Sequence, residues 1–206
     1  MRDTPHLVIY PTAVTKIFDL HQRYKTELMV YKLNIPHVPQ MLSHGEACGI
    51  EGDAWYITIQ RIKGKPYLDE ETFNATRLGA ALADFHGASL NKGKCLCHID
   101  NQPKNILVSG SDFFFVDFSD SIMDFPETDI THLLLFWAEE VAYLDFIGIA
   151  GCFLNSYQQR ISLDPKRWRK ALKQSITRFD ERRLRYNKKA PARDSGKNRN
   201  WLEAVV

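Results

Sequence analysis

Apolar residues follow two different spacings along the chain, and the change of spacing separates predicted strands from predicted helices. Short runs rich in β-branched and aromatic residues, which are typical of strands, occur at His6 to Tyr10, Ala13 to Phe18 and Ala54 to Ile62. Pro11 separates the first two runs. The first third of the chain therefore predicts a small β-sheet.

A helix is predicted between the second and third of these strands, from about Asp19 to Leu33, with Asp19 as its N-cap. At about 100° per residue, one face of this helix carries four residues, three of them apolar. They are Leu20, Tyr24, Glu27 and Tyr31. An unpaired carboxylate in such an apolar stripe costs on the order of several kcal/mol. Glu27 therefore needs either a cationic partner, for which Lys16 on the preceding strand is the candidate, or a route to solvent at the edge of the stripe.

The second half of the chain has the apolar spacing of helices. One helix is predicted from Glu71 to Leu90 and another from Leu133 to Tyr143, opened by Asp129. Gly148 to Gly151 predicts a break before a further helix. The pair Asp164-Pro165 combines an N-cap with a first-turn proline, which predicts the start of a last helix of about twenty residues.

The segment His98-Ile99-Asp100-Asn101-Gln102-Pro103-Lys104-Asn105 carries the candidate chemistry of the chain. It is followed by two short predicted strands joined by a tight turn at Ser109 to Asp112, and the second strand ends at Asp117. Folding this hairpin is expected to bring Asn105 and Asp117 together. In phosphoryl transfer, an Asp accepts or orients the proton of the attacking hydroxyl, while an Asn and a second Asp hold the magnesium that bridges the nucleotide phosphates. The spacing predicts these roles for Asp100, Asn105 and Asp117.

This segment, together with Asp117, resembles the catalytic loop and metal-binding motif of the protein-kinase-like superfamily. The resemblance covers about Val14 to Phe136 and is strongest to the small, atypical members: lipopolysaccharide core kinases, aminoglycoside phosphotransferases, RIO kinases and the kinase subunit of the KEOPS tRNA-modification complex. The sequence departs from typical protein kinases at Gln102, where they carry Lys, and at Ser119, where they carry Gly. These departures favour the atypical branch.

The resemblance also implies the nucleotide contacts. Lys16 matches the strand lysine that contacts the α- and β-phosphates, and Glu27 matches its helical partner. Gln60 and Ile62, before the linker Lys63 to Pro66, match the main chain that binds adenine. One expected part is missing, because the first glycine of the chain is Gly45 and no glycine-rich loop precedes Lys16. Either the segment before Leu7 covers the nucleotide, or ATP binds loosely and turnover is slow.

Composition agrees with one catalytic unit. The chain has 206 residues, which is short for a two-lobed kinase, so one lobe must be reduced. No secretory signal is evident, and the longest apolar region, Leu133 to Leu154, contains three acidic residues, which predicts core helices and no integral membrane segment. The four cysteines are expected to be reduced thiols that form no metal site. The expected location is cytoplasmic, or peripheral at the inner membrane surface.

Charge is distributed unevenly. Residues 166–206 hold 14 Lys and Arg against 4 Asp and Glu, a balance of +10, whereas residues 1–165 hold 13 against 21, a balance of −8. The positive charge of residues 166–206 is typical of a polyanion-binding surface. The candidate partners are nucleic acid, an acidic membrane or glycolipid surface, or the acidic body of the same protein. From about Ala190 onward a flexible basic tail is predicted, with Trp201 and Leu202 as a local anchor.

Taken together, these features predict an α+β, protein-kinase-like two-lobed fold. Residues 1–64 are expected to form a reduced N-terminal nucleotide-binding lobe, 65–189 a helical catalytic lobe and 190–206 the tail. The predicted function is ATP- and Mg²⁺-dependent transfer of the γ-phosphate to a hydroxyl of a protein Ser/Thr or of an envelope glycolipid sugar. The alternative is a nucleotide-binding pseudokinase or ATPase-like regulatory subunit of an assembly, acting on tRNA through the basic end.

Overall fold

The computed structural model describes residues 6–49, 52–69, 74–185 and 194–206. Four antiparallel strands and one helix form the N-terminal part, and the strands lie in the order β1-β2-β4-β3. In chain order these elements are β1 (His6–Ile9), β2 (Ala13–Phe18), α1 (His21–Lys32), β3 (Met41–Gly49) and β4 (Gly52–Gln60). The predicted strands are confirmed here, and β3 is a strand that the sequence analysis did not predict.

The remaining elements form a helical part that also contains five short strands in two small sheets. The strands pair as β5-β7-β8 and as β6-β9, all antiparallel. In chain order the elements are β5 (Lys65–Pro66), α2 (Ala75–Gly87), β6 (Cys95–Cys97), β7 (Ile106–Ser109), β8 (Asp112–Phe115), β9 (Ile122–Asp124), α3 (Pro126–Glu140), α4 (Tyr143–Gln158), α5 (Pro165–Arg185) and α6 (Ser195–Ala204). A small sheet followed by a helical part is the two-part α+β arrangement that the sequence predicts.

Helix α1 begins two residues later than expected. Its N-cap is Leu20, which makes no side-chain cap hydrogen bond, so the prediction of Asp19 as the N-cap is wrong. Leu20 is also 45% exposed and does not belong to the buried face. That face consists of Tyr24, Glu27, Val30 and Tyr31. The helix is held by this buried contact with the sheet, because most helical stability in proteins comes from tertiary packing and not from local signals.

The break predicted at Gly148 to Gly151 is also wrong, because α4 continues through both glycines. The chain turns instead at Val141 and Ala142, whose backbones are extended. Ala150 and Phe153 lie on the buried face of α4, and this packing outweighs the roughly 1 kcal/mol that an interior glycine costs a helix. At the contact with α2, a Cβ on Gly79 would lie 2.4 Å from the Phe153 carbonyl oxygen, so the close approach of the two helices requires glycine there.

Helix α5 begins as predicted. The Asp164 carboxylate accepts hydrogen bonds from the backbone N–H groups of Lys166 and Arg167, both at 2.8 Å, which is the geometry of an N-cap. None of the helices in the described ranges combines the length and the apolar character that a membrane-spanning helix requires.

The end of the chain differs from the predicted flexible tail. Residues 190–193 lie outside the described ranges, but Ser195–Ala204 forms α6 and packs against the helical core. Leu202 is fully buried, and its carbonyl accepts a hydrogen bond of 2.7 Å from the Trp168 indole. Asn198 donates to the carbonyls of Ala138 and Val141, both at 2.9 Å, and so satisfies the C-terminal end of α3. Polar side chains of α6 that bond the end of a neighbouring helix explain why this polar segment is ordered. Trp201 and Leu202, the residues expected to anchor the tail, belong to α6.

Candidate active site

The loop after β6 contains the first candidate catalytic residue, Asp100. Strand β6 ends at Cys97, and the next residues turn sharply, with Ile99 at a φ of +67° and the Asp100 N–H donating to the His98 carbonyl at 2.8 Å. A positive φ is costly for a β-branched residue, so surrounding contacts must hold this turn in place.

The side chain of Asp129, in the first turn of α3, supplies those contacts. Its Oδ2 accepts the backbone N–H of His98 and its Oδ1 that of Ile99, each at 2.8 Å. Asn101 Nδ2 donates to Asp129 Oδ1 at 3.0 Å and to the Asp129 carbonyl at 2.8 Å. Asp129 is fully buried. Burial raises the pKa of this carboxyl, but hydrogen bonds and charge from His86, followed by His98, outweigh burial and hold the pKa below its ordinary value.

Asp100 and Asn105 are in direct contact. Asn105 Nδ2 donates to the Asp100 carbonyl at 2.7 Å and to Asp100 Oδ2 at 3.0 Å. Gln102 Nε2 donates to the same carboxylate oxygen at 2.9 Å. Two amide groups therefore fix the Asp100 carboxylate. Because the Asn105 nitrogen is used on Asp100, its Oδ1 is the atom left to coordinate a cation.

The β7–β8 hairpin brings Asp117 back to the loop from His98 to Asn105, as the sequence predicts. Its register pairs Ile106 with Phe115, and the Val116 N–H donates to the Asn105 carbonyl at 3.0 Å. Asp117 itself has a φ of +72°, which turns the chain sharply after β8. The next residue, Phe118, is fully buried and its ring contacts the rings of Tyr31, Phe85 and His98. Packing of Phe118 thus fixes the position of Asp117.

Lys16 links the sheet to this loop. It forms an ion pair with Glu27, and its Nζ also lies 3.1 Å from Asp117 Oδ1. Glu27 Oε1 accepts the Phe118 N–H at 3.0 Å. Glu27 is fully buried, so the sequence-based alternative in which it reaches solvent is wrong.

The charges of this cluster shift each other's pKa values. Burial lowers the pKa of the Lys16 ammonium, but Glu27 and then Asp117 outweigh burial and raise it above its ordinary value. Burial likewise raises the pKa of Asp117, but the Lys16 charge, assisted by His98 and Lys104, holds it below its ordinary value. Lys16 therefore stays cationic and Asp117 anionic, which is the charge state needed to bind phosphate and a divalent cation respectively.

The residues matched to adenine binding lie at the end of β4. The Gln60 N–H donates to the Gln40 carbonyl at 2.8 Å. Gln60 is exposed and Ile62 is half-buried. The turn between β1 and β2, closed by the Tyr10 N–H on the Ala13 carbonyl at 2.9 Å, contains Pro11 and Thr12 and no glycine.

Sequence reasoning missed three residues that support this site: Asp129, His86 and Tyr157. Asp129 was expected only to open a helix, and no local pattern pairs it with the loop 28 to 31 residues earlier. His86 Nε2 lies 3.0 Å from Asp129 Oδ2, and His86 Nδ1 lies 2.7 Å from the Tyr157 hydroxyl. A signal was present, since a histidine and an aspartate on apolar helix faces each require a buried partner.

The cysteines were expected to form no metal site, but two of them lie close to a histidine. Potential ligand atoms of Cys95, Cys97 and His86 are within 4.8 Å of one another, and the two sulfurs are 3.8 Å apart. The side-chain contact with Cys95, followed by burial, raises the pKa of the Cys97 thiol, which favours the protonated form. Both ring nitrogens of His86 are hydrogen-bonded to other groups. These contacts favour two buried thiols beside a structural histidine. Cys152 is exposed, and the side chain of Cys48 lies outside the described residues.

The fold and the cluster of Lys16, Glu27, Asp100, Asn105 and Asp117 define the structural class: the chain has the protein-kinase-like fold. No family model and no curated sequence matches it. Its structure is similar to that of amicoumacin kinase hAmiN, solved in complex with AMP-PNP, Ca²⁺ and Ami, with a TM-score of 0.62 and 13% identity over 100% of this chain and 90% of that one.

Two further structures show the same fold. A choline/ethanolamine kinase family protein from Mesorhizobium loti has a TM-score of 0.59 and 14% identity, covering 98% of this chain and 83% of that one. WaaP, solved in complex with acyl carrier protein, has a TM-score of 0.51 and 15% identity, covering 82% and 79%. The predicted resemblance to the protein-kinase-like superfamily is therefore confirmed at the level of the fold.

Proposed function

We propose that this chain is an ATP- and Mg²⁺-dependent phosphotransferase that transfers the γ-phosphate to a hydroxyl group. One observation carries the proposal: Asp100 and Asn105 are hydrogen-bonded to each other, while Asp117, two residues after the end of β8, lies 3.1 Å from Lys16. A base, two oxygen ligands and a cation are thus carried by segments that contact one another. Kinase neighbours, one of them solved with a nucleotide analogue and a divalent cation, support the same reaction class.

In this proposal each residue has one task. Asp100, fixed by Gln102 and Asn105, orients the acceptor hydroxyl and takes its proton. Asn105 Oδ1 and the Asp117 carboxylate hold the magnesium, because hard cations prefer carboxylate and amide oxygens. When bound, the ion would neutralise charge on the β- and γ-phosphates. Lys16, held by Glu27, contacts the α- and β-phosphates, and Gln60 and Ile62 contact adenine through the main chain.

The proposed acceptor is a hydroxyl of a protein Ser/Thr or of an envelope glycolipid sugar. A regulatory, nucleotide-binding subunit without transfer activity is the second candidate function. The turn between β1 and β2 favours it, because Pro11 and Thr12 replace the glycines whose backbone could approach the phosphates. The contact between Asp100 and Asn105 favours the enzyme, since a subunit that only binds nucleotide has no use for a fixed base.

We expect ATP with Mg²⁺ to raise the melting temperature of the protein, and Asp117→Ala to remove this shift. A ligand present at about 100 times its Kd stabilises the native state by about 2.7 kcal/mol, so the shift is measurable by differential scanning fluorimetry. Asp112→Ala is the matched control, because Asp112 is an exposed aspartate at the other end of β8. An equal shift in the Asp117 and Asp112 variants would contradict metal binding by Asp117.

The exposed face of α5 is proposed to bind a polyanion. Five cations on it are exposed and have no ion-pair partner in the part of the chain that the structure describes. They are Lys166, Arg169, Lys170, Lys173 and Arg178. The apolar face of the same helix is already buried in the core through Trp168, Leu172 and Phe179, so it is not available for insertion into lipid. Charge alone would therefore hold the partner.

We expect the double variant Lys170→Glu/Lys173→Glu to weaken retention on immobilised tRNA, with the log Kd against log salt slope reduced by about 0.7–0.9 per lost phosphate contact. The control is Lys25→Glu/Lys32→Glu on α1, which makes the same change in net charge at exposed positions of the other lobe. Retention on anionic vesicles but not on tRNA would assign the surface to a membrane. Loss of retention in both double variants alike would show a net-charge effect without a defined surface.

A further inference from the structure

Two cations lie over one aromatic ring beside β9. The Lys94 ammonium is 5.3 Å and the Arg167 guanidinium carbon 4.0 Å from the centroid of the Phe125 ring. Both cations are exposed, and neither forms an ion pair within the part of the chain that the structure describes. A ring attracts a cation through its quadrupole and does not neutralise it. This cation pair, Lys94 and Arg167, therefore keeps both positive charges.

The local backbone holds the cation pair in place. Asn91 and Lys94 close a tight turn with backbone hydrogen bonds of 2.8 and 3.0 Å, and the two residues between them, Lys92 and Gly93, have φ values of +50° and +77°. A Cβ on Gly93 would lie 3.0 Å from a guanidinium nitrogen of Arg167, so glycine permits both the positive φ and the close approach of Arg167. Packing, and not an acidic partner, thus positions Arg167.

Two carboxylates flank the cation pair in the chain, and each of them is used elsewhere. Asp124 accepts a hydrogen bond of 3.0 Å from the Thr128 hydroxyl. Asp164 accepts the backbone N–H groups of Lys166 and Arg167 as the N-cap of α5. Like charges over one ring repel each other, so an anion from outside the chain is favoured between them.

The cation pair lies at one end of the β6–β9 ladder, and the candidate active site begins at the other end. Lys94 directly precedes β6 and Phe125 directly follows β9. At the opposite end Cys97 pairs with Ile122, and the next residue, His98, begins the loop that carries the candidate base. Four steps along an extended chain at about 3.3 Å each place Lys94 about 13 Å from His98.

Strand β9 connects these two places and has an exposed edge. Within the described ranges it pairs with β6 alone, so the N–H and C=O groups of its other edge have no strand partner. Ile122 and Met123, two of its three residues, are 43% and 48% exposed. An extended peptide can bond such an edge through its main chain and cover the apolar side chains. A sugar has no repeating main-chain donors and acceptors, so β9 favours a protein over a glycolipid.

We propose that the free edge of β9 and the cation pair bind an extended, acidic protein segment, which on the basis of the proposed function is the phosphate acceptor. The main chain of the segment lies along β9, and one Asp or Glu side chain lies between Lys94 and Arg167. A span of about 13 Å corresponds to about four extended residues. The acidic residue is therefore expected three to five positions from the Ser or Thr that receives the phosphate.

Binding can be measured without any transfer, with fluorescein-labelled peptides in which the acceptor Ser is replaced by Ala. A single Asp is moved to each position up to about six residues on either side, a reach of about 20 Å. We expect fluorescence anisotropy to show a Kd roughly five- to thirtyfold lower than that of the neutral peptide when the Asp is three to five positions away, on one side only. A Kd that does not depend on the position of the Asp would overturn the proposal.

Charge reversal tests the two cations directly. We expect Lys94→Glu/Arg167→Glu to lose the preference for Asp and to prefer a peptide with Lys at the same position, which a purely structural role would not produce. Lys94→Gln/Arg167→Gln, a milder change, is expected to raise the Kd of the acidic peptide to that of the neutral one. The control is Lys25→Glu/Lys32→Glu on α1, which makes the same change in net charge and is expected to keep the preference for Asp.

The outcomes separate this proposal from the proposed function. Position-dependent binding of acidic peptides without phosphate transfer would support the binding site and contradict the transferase. Transfer to lipopolysaccharide, with no position-dependent peptide binding, would support the transferase and overturn the peptide site. Loss of the preference for Asp in the α1 control as well as in Lys94→Glu/Arg167→Glu would also overturn it, because net charge alone would then account for binding.

Discussion

Asp100→Asn is expected to lower kcat for phosphate transfer by about 10²–10⁴-fold while leaving nucleotide binding intact. The amide that replaces the carboxylate cannot accept the proton of the acceptor hydroxyl. Substrate contacts that do not involve this proton are unaffected, because Lys16 and Asp117 are held by Glu27 and by the packing of Phe118. The measurement is transfer from labelled ATP to a panel of protein and glycolipid acceptors, beside the thermal shift with ATP and Mg²⁺.

The matched control for this variant is Asp112→Asn, the same chemical change at the exposed hairpin turn. We expect its kcat to equal that of the unaltered protein. Equal transfer by Asp100→Asn and by the unaltered protein would assign the proton to another group. A protein that binds nucleotide but transfers phosphate to no acceptor would favour the regulatory subunit.

Asp129→Ala is expected to have the largest effect on stability, a loss of about 3–5 kcal/mol in the free energy of unfolding. The change leaves the N–H groups of His98 and Ile99 and the His86 ring without their side-chain acceptor in a fully buried site, and the Asn101 amide keeps only the main-chain carbonyl of residue 129. Urea unfolding followed by circular dichroism measures this loss. Asp129→Asn keeps one acceptor oxygen, so we expect a smaller loss. Asp112→Ala is the surface control.

The loss caused by Asp129→Ala should also depend on pH. Hydrogen bonds and charge hold the folded pKa of Asp129 below its ordinary value. Because the folded pKa is depressed, the stabilisation by Asp129 is fully present above the unfolded value of about 3.9 and is lost as the pH falls through the folded pKa. The difference in stability between the unaltered protein and Asp129→Ala should therefore be constant from pH 7 to about 5 and shrink below about 4. A difference that shrinks already between pH 7 and 6 would contradict this assignment to Asp129.

The local features of the site could be predicted from the sequence. The loop from His98 to Asn105, the tight turn after Ser109 and the N-cap at Asp164 each depend on residues within a few positions of one another. The ion pair of Lys16 and Glu27 could also be predicted, because a carboxylate on a buried helix face must be neutralised by a nearby cation. The need for a cation limited the possible partners of Glu27 to a nearby basic residue such as Lys16.

Errors occurred where tertiary packing outweighed a local signal. Gly148 and Gly151 predicted a helix break, but the buried face of α4 continues through them. The polar segment after Ala190 predicted flexibility, but Asn198 and Leu202 of α6 find partners on α3 and α5. Propensity contributes about 1 kcal/mol per residue at most for glycine, whereas burying a side chain such as that of Leu contributes roughly 1.5–3 kcal/mol.

By itself, the sequence determined the kind of chemistry this protein carries and where in the chain it lies, because Asp100, Asn105 and Asp117 are close enough in sequence for one loop and one hairpin to bring them together. Only the tertiary structure decided how that loop is held. His86 is 43 residues from Asp129 and 71 residues from Tyr157, and nothing in the local sequence of any of the three specifies the other two. The physical reason is that a buried polar group requires a partner but does not determine which distant residue will provide it.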